Sequence, residues 1–231
     1  MLTNDEYYDQ ISSSYEPIFK KRDKYIKSID DYICNSINLD QEKTILDIGI
    51  GDGVRANHLI KKLNICRNQY YGIEPSLKMY AEAKKYFSKE NLFNCDIENF
   101  KYSKGFDFIW CLWNVIGHVQ NLDLFFSKLS KLIKKNGYII FDFNNLFNIQ
   151  EYGIKNYIKN SIISIITPKI KFELINGNNS TFVTFYKYSF VSNILKKYKL
   201  KIQEKVYFNY NTGKIERKSY NGQILLICKN E

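Results

Sequence analysis

The chain has 231 residues and a formal net charge of +10. That length is enough for one sizeable core, and no apolar run approaches the roughly 18 residues that span a bilayer. Five scattered cysteines (34, 66, 95, 111 and 228) form no Cys-x-x-Cys pair, so neither a metal site nor a disulfide framework is expected. The acidic, polar start Met1-Leu2-Thr3-Asn4-Asp5-Glu6 does not read as a signal peptide. The expectation is a single cytoplasmic domain over 1–231 with no membrane association. A basic balance is the footprint of a nucleic-acid partner. Here, however, the excess is almost all lysine, dispersed as pairs such as Lys61-Lys62 and Lys196-Lys197. Most of these pairs fall in the last turns of helices, where they complement the macrodipole. Nucleic acid is possible and not favoured.

Residues 5–19 place Tyr8, Ile11, Tyr15 and Ile18 on one stripe, which predicts a helix that Pro17 keeps from ending regularly. Residues 24–37 predict a second helix. Residues 1–40 thus form a helical cap ahead of the first strand.

Thr44-Ile45-Leu46-Asp47-Ile48-Gly49-Ile50-Gly51-Asp52-Gly53 reads as a buried strand entering a glycine turn, followed by a helix over 54–63. Glycines at every second position let the backbone turn sharply and approach a ligand, and the helix N-terminus aims free N–H groups at the same spot. Gly51-x-Gly53-x-x-Ala56 also satisfies the dinucleotide fingerprint, with Glu74 about twenty residues on. Asp47 and Asp52 argue against a pyrophosphate, because like charges at contact cost several kcal/mol on the order of the Coulomb estimate. A cationic adenosyl ligand fits the acids better.

The next strand, Gln69 to Ile73, closes on Glu74, followed by Pro75 and the candidate helix cap Ser76. A carboxylate there can accept both hydroxyls of a ribose. A helix is expected over 77–87. The third strand, 91–97, exits at Asp96 and Ile97. The fourth, 106–112, is apolar almost throughout, as a central strand should be, and it exits into Trp113-Asn114-Val115-Ile116-Gly117-His118. An amphipathic helix is expected over 122–134, stopped by Asn136-Gly137, then a fifth strand over 138–143. Residues 145–166 read as mixed helix and loop. Residues 170–175 and 181–188 read as a β-hairpin, 190–198 as a helix, and 201–210 and 222–228 as two final strands.

These motifs resemble the class I S-adenosylmethionine-dependent methyltransferases over roughly residues 40–144, and more weakly over the C-terminal strands. Asp47, Gly49, Gly51 and Gly53 reproduce that family's first motif without a gap. The resemblance implies an α/β, Rossmann-like seven-stranded sheet of order 3-2-1-4-5-7-6, with an inserted antiparallel hairpin within 145–189. It implies S-adenosyl-L-methionine as cofactor and S-adenosyl-L-homocysteine as product. The ribose would sit on Glu74 beside Pro75, and the adenine against Asp96 and Ile97. Leu112, Trp113 and Asn114 would line the strand-four exit. Tyr15 would lie over the sulfonium or methionyl end, and Arg22 would meet the cofactor's carboxylate.

Methyl transfer from a sulfonium is an in-line displacement, so the protein chiefly aligns the partners and excludes water. His118 is the natural group to take a proton from the acceptor, although a structural histidine at a helix start reads equally well. The 113–118 stretch is similar to that of small-molecule enzymes such as glycine N-methyltransferase and the sugar N,N-dimethyltransferases. Some sugar enzymes carry an inserted antiparallel element and use an N-terminal tyrosine with a histidine, which Tyr15 and His118 would match. Asn114 lacks the Pro-Pro-aromatic that follows it in enzymes acting on exocyclic base amines, and no Pro-Cys offers a nucleophile for pyrimidine carbon. The expected reaction is methylation at N or O of a small-molecule acceptor, by a monomer or a homodimer. The alternatives are an RNA (tRNA) methyltransferase and a non-catalytic binding module of the same fold. The hairpin would either cap the pocket or pair across a dimer.

Overall fold

A computed structural model describes residues 1–12, 15, 20–37 and 42–231. Pro17 and Ile18, which bear on the end of the first expected helix, lie outside the described residues, as do residues 38–41.

Helix α1 (Asn4–Ile11) starts at Thr3, whose hydroxyl and the Glu6 carboxylate form a reciprocal capping box. Helix α2 (Asp23–Ser36) buries Tyr25, Ile26, Ile29 and Ile33 on one face. Strand β1 (Ile45–Ile48) leads through the glycine turn into α3 (Val54–Leu63), followed by β2 (Tyr70–Ile73), α4 (Leu77–Ala83), β3 (Leu92–Phe93) and β4 (Phe106–Cys111). A 3-10 turn at Val115–His118 precedes α5 (Leu122–Leu132) and β5 (Ile133–Phe143). Then come α6 (Ile149–Ile166), the hairpin β6 (Lys169–Asn176) and β7 (Asn179–Tyr186), α7 (Tyr188–Lys197), β8 (Leu200–Phe208), β9 (Ile215–Glu216) and β10 (Gln223–Asn230).

The main sheet has the order β3-β2-β1-β4-β5-β10-β8-β9, and the hairpin forms a separate two-stranded sheet. Strands β1 to β5 pair in parallel, while β10 pairs antiparallel with both β5 and β8. This is the expected α/β sheet with one correction: β9 adds a two-residue strand beyond β8 at the edge, making eight strands rather than seven. Alternation along the central strands splits the core into two layers. Phe108 and Trp110 of β4 face α2 and α3, and Ile109 and Cys111 face α5 and α7.

Several boundaries also differ from expectation, among them the helix expected over 77–87, which ends at Ala83. Helix α5 ends at Leu132, not at 134, and β5 begins at Ile133. Ile133 pairs with Phe106, after which the register shifts and resumes at Tyr138 opposite Phe108. Asn136, at φ 63°, lies inside that irregularity, so Asn136-Gly137 bends a strand and does not stop the helix. Residues 149–166 are helical where mixed structure was expected, with a break at Gly153 (φ 77°, ψ 163°). The hairpin runs two residues shorter at its C-terminal end than expected, because Tyr188 already starts α7.

Candidate active site

The site forms at the C-terminal ends of β1, β2, β4 and β5, where open α/β sheets hold ligands. Gly49, Gly51 and Gly53 all adopt positive φ (71°, 64° and 77°), which an L side chain disfavours. Their surroundings differ. A Cβ on Gly49 would come within 2.9 Å of Val115 Cγ2, and one on Gly53 within 3.1 Å of the Ala83 backbone. A Cβ on Gly51 would meet nothing within 4 Å. Two glycines therefore allow close packing, and the middle one leaves the mouth of the turn open.

Glu74, 5% exposed, is fixed against this mouth. Its Oε2 accepts from Gly51 N at 2.9 Å and its Oε1 from Ser76 N at 3.0 Å. Burial raises its pKa to about 7 despite those two bonds. Asp47 is also buried, accepts from Tyr70 Oη at 2.7 Å, and is pushed up to about 6 by burial.

Sequence reasoning missed the partners of these acids. Arg55 of α3 donates to Asp30 of α2 through Nη2 at 2.6 Å and Nε at 3.1 Å. Asp47 and Asp142 lie within its electrostatic reach. Asp142 is 1% exposed; it accepts from Tyr25 Oη at 2.7 Å and from Trp113 N. One guanidinium thus pairs with one buried carboxylate and feels the field of two more. The detectable signal for Asp142 was an acid inside the apolar run Tyr138 to Phe143. The ion pair of Arg55 with Asp30 spans two elements and left no sequence signal.

The strand-four exit is held in an uncommon backbone conformation. Trp113 and Asn114 both have positive φ, 66° and 58°, a state few non-glycine residues adopt. The Asp142 bond to Trp113 N and the Asn144 N to Asn114 Oδ1 bond (3.0 Å) fix them there. A Cβ on Gly117 would lie 2.5 Å from Asn114 Nδ2, so the glycine makes room for the buried Asn114 amide.

A small cavity of about 40 Å³ touches Tyr15, Asp47, Gly49, Gly51, Arg55, Leu112 and Trp113. A larger one of about 380 Å³ is lined by Tyr7, Tyr8, Tyr15, Trp113, Asn114, His118 and Tyr210 among others, with Leu174, Ile175, Asn176 and Val183 from the hairpin. Tyr15 and Trp113 border both, their rings 5.7 Å apart. They form the wall between the glycine turn and the large cavity.

His118 is partly buried on that cavity. Tyr8 Oη lies 3.1 Å from its Nε2, and Asn4 Oδ1 lies 3.3 Å from its Nδ1. Asn4 Nδ2 donates to the His118 carbonyl at 2.9 Å, and Thr181 of β7 donates to Asn4 Oδ1. This network assigns the proton to Nδ1 and leaves Nε2 as acceptor from Tyr8. Burial lowers the ring's pKa to about 4.

The other expected residues fall in different surroundings. Arg22 lines the large cavity, yet its Nη2 pairs with Glu151 at 2.8 Å and its guanidinium lies 3.9 Å above the Tyr210 ring. Pro75 is exposed. Asp96 is exposed, and Asn99 donates to both of its oxygens, at 2.8 and 3.0 Å. Ile97 is 5% exposed, inside the core on the α5 side of the sheet. Neither Asp96 nor Ile97 borders the two cavities. Among the described residues no cluster of His, Cys, Asp or Glu could hold a metal ion, and no helix is long and apolar enough to cross a membrane.

The donor chemistry fits an adenosyl cofactor with a cationic centre. A doubly anchored carboxylate faces a turn with an open glycine, and buried acids outnumber the cation beside them. The space at the turn is small, with room for a few waters. Helix α1 lies close over it: Asp9 accepts from Ser76 Oγ at 2.6 Å and from Lys78 N at 3.0 Å, at the start of α4.

Comparison with known proteins agrees with this geometry. The profile of the methyltransferase domain family matches residues 46–141. No curated protein matches the chain in sequence. Among solved structures, a possible histamine N-methyltransferase from Thermotoga maritima is 18% identical with a TM-score of 0.64, covering 98% of this chain and 99% of that one. The sugar N-methyltransferase KedS8 from Streptoalloteichus is 11% identical with a TM-score of 0.60, covering 92% of each chain. A methyltransferase from Haloferax volcanii, solved with its activator Trm112, is 13% identical with a TM-score of 0.68, covering 96% and 97%. At these identities the structures speak for the fold, and the profile match speaks for residues 46–141. Residues 46–141 thus match a methyltransferase domain, set in a fold that S-adenosylmethionine-dependent methyltransferases also have.

Proposed function

We propose that the chain methylates N or O of a small-molecule acceptor bound in the cavity of about 380 Å³. When bound, S-adenosylmethionine supplies the activated methyl group. Glu74 would hold its ribose, Gly49, Gly51 and Gly53 would admit its backbone-facing edge, and Asp47 would favour its positive charge. Pro75, Asp96 and Ile97 would border the adenine. Leu112, Trp113 and Asn114 would flank the reacting centre, with Tyr15 over it. Arg22 is the candidate for the carboxylate, on condition that it leaves Glu151.

The observation that carries the small-molecule reading is the roof of the cavity. Helix α1 and the hairpin close over the strand-four exit, with Leu2 N bonded to Ser180 O at 3.0 Å and Asn4 bridging His118 to Thr181. The volume falls in the range of small-ligand sites, and aromatic walls with a few amides suit a compact, partly apolar acceptor.

In this reading His118 is neutral at pH 7. A ring with a pKa of about 4 is a poor base for an ammonium, so the acceptor enters as a neutral amine or hydroxyl. The Tyr8 oxygen then accepts the acceptor's N–H or O–H, and as charge moves it takes that proton while passing its own to His118 Nε2. Screening small amines, amino sugars and hydroxyl compounds with a tritium-labelled methyl donor tests this. Label in a small molecule supports it, and label only in RNA overturns it.

A further inference from the structure

Helix α6 is inverted relative to an ordinary amphipathic helix. Its buried residues are polar, Asn160 and Ser164. Asn160 Nδ2 donates inward to the Leu146 carbonyl at 2.9 Å, and Ser164 Oγ donates to its own helix at Ser161 O. The isoleucines point out. Ile154, Ile158, Ile162, Ile165 and Ile166 are 54% to 89% exposed. They leave roughly 600 Å² of apolar surface, at the upper end of the largest single patch on a typical monomer.

We propose that this face is a dimer interface, covered by α6 of a second copy of the chain. Ile154, Ile158, Ile162 and Ile166 lie four residues apart and form a single ridge about 18 Å long. Ridges of that kind interdigitate at the commonest helix crossing angle in globular proteins. The neighbouring row, Tyr157, Ser161 and Ile165, offers the groove. Ser161 is small, and its hydroxyl already donates to the Tyr157 carbonyl at 2.7 Å, so covering it strands no polar group. A row spaced evenly by four is unchanged by reversal, so two copies meet through a two-fold axis and the contact closes at a dimer. The exposed area is most of the roughly 800 Å² that each side of a standard interface buries.

The charges favour a protein partner over a lipid surface. An interfacial membrane helix carries basic residues along its whole polar face. Here Lys155 and Lys159 lie on one border only, and Tyr157 and Ser161 on the other. In the dimer the lysines stay in water at the rim.

The test is sedimentation velocity on the full chain across a micromolar concentration series, with Ile158→Lys, Ile162→Lys and the double variant. Leu124→Lys, an exposed leucine on α5, serves as control. The wild type and the control should pass from monomer to dimer, and each α6 lysine should weaken association about tenfold or more. Unchanged melting temperatures would show that the variants fold. A wild type that stays monomeric at every concentration overturns the proposal, whether or not it floats with phosphatidylglycerol vesicles. So does a dimer that survives the double variant.

Discussion

Replacing Glu74 by Gln separates the two duties of that carboxylate. In the folded chain it accepts from Gly51 N and Ser76 N. An amide keeps an acceptor for one and turns its NH2 toward the other, so one buried N–H loses its partner at a cost of about 1–3 kcal/mol. That cost falls on stability; in binding, two charge-assisted bonds to a ribose diol weaken, by about 3 kcal/mol together, or roughly a hundredfold in affinity. The wild-type acid adds a pH dependence. Its pKa is about 7 in the free protein, and the ionised form is the one that accepts two hydroxyls. S-adenosylhomocysteine should therefore bind the wild type about tenfold more weakly at pH 6 than at pH 8, with proton release visible as a buffer-dependent calorimetric enthalpy. Stability has the opposite sign. A carboxyl with a raised folded pKa stabilises most below its unfolded value near 4.5, and loses that stabilisation as pH rises through about 7. Glu74→Gln should show neither dependence from this residue. Wild-type binding that is flat from pH 6 to 8, or a Gln variant that binds as tightly, would refute the role given to Glu74.

Gly51→Ala should cost about 1–2 kcal/mol of stability from its positive φ and weaken cofactor binding by more than that, since its Cβ points into open space; calorimetry beside urea unfolding distinguishes the two losses. Arg55→Leu should destabilise by about 3–5 kcal/mol in urea, because Asp30 would remain buried without its partner. His118 should lower stability by about 3 kcal/mol as pH falls from its unfolded value near 6.5 through about 4, and His118→Gln should flatten that limb of the stability curve. Tyr8→Phe, which removes the hydroxyl at His118 Nε2, should lower kcat while leaving cofactor affinity within about twofold, as expected for a group acting on the acceptor side.

Much of the fold was legible because each signal was local. The strand, glycine turn and helix of 44–63, the acid closing β2, and the alternating βα order follow from periodicity and turn chemistry over ten residues at a time. The hairpin was legible from two β-rich runs flanking Asn176-Gly177. What failed was decided elsewhere in the chain. Residues 133–137 carry a helix-compatible pattern, but Lys134 reaches Asp107 at 2.7 Å and Asn230 donates to the Ile133 and Lys134 carbonyls, so the segment joins the sheet. Helix α6 escaped because its inward positions are polar and most of its isoleucines face out, the reverse of the pattern that marks a core-facing helix. Within the site, the glycines and Glu74 could be read, while the contact of Tyr8 with His118 spans 110 residues and the acids near Arg55 come from three separate elements.

A thermal melt with S-adenosylmethionine and with NADH, each near a hundred times a typical dissociation constant, probes the selectivity of this acid-rich turn most directly. S-adenosylmethionine should raise the melting temperature by roughly 5–10 °C, and NADH should leave it unchanged. A shift with NADH, or none with S-adenosylmethionine, would contradict the account.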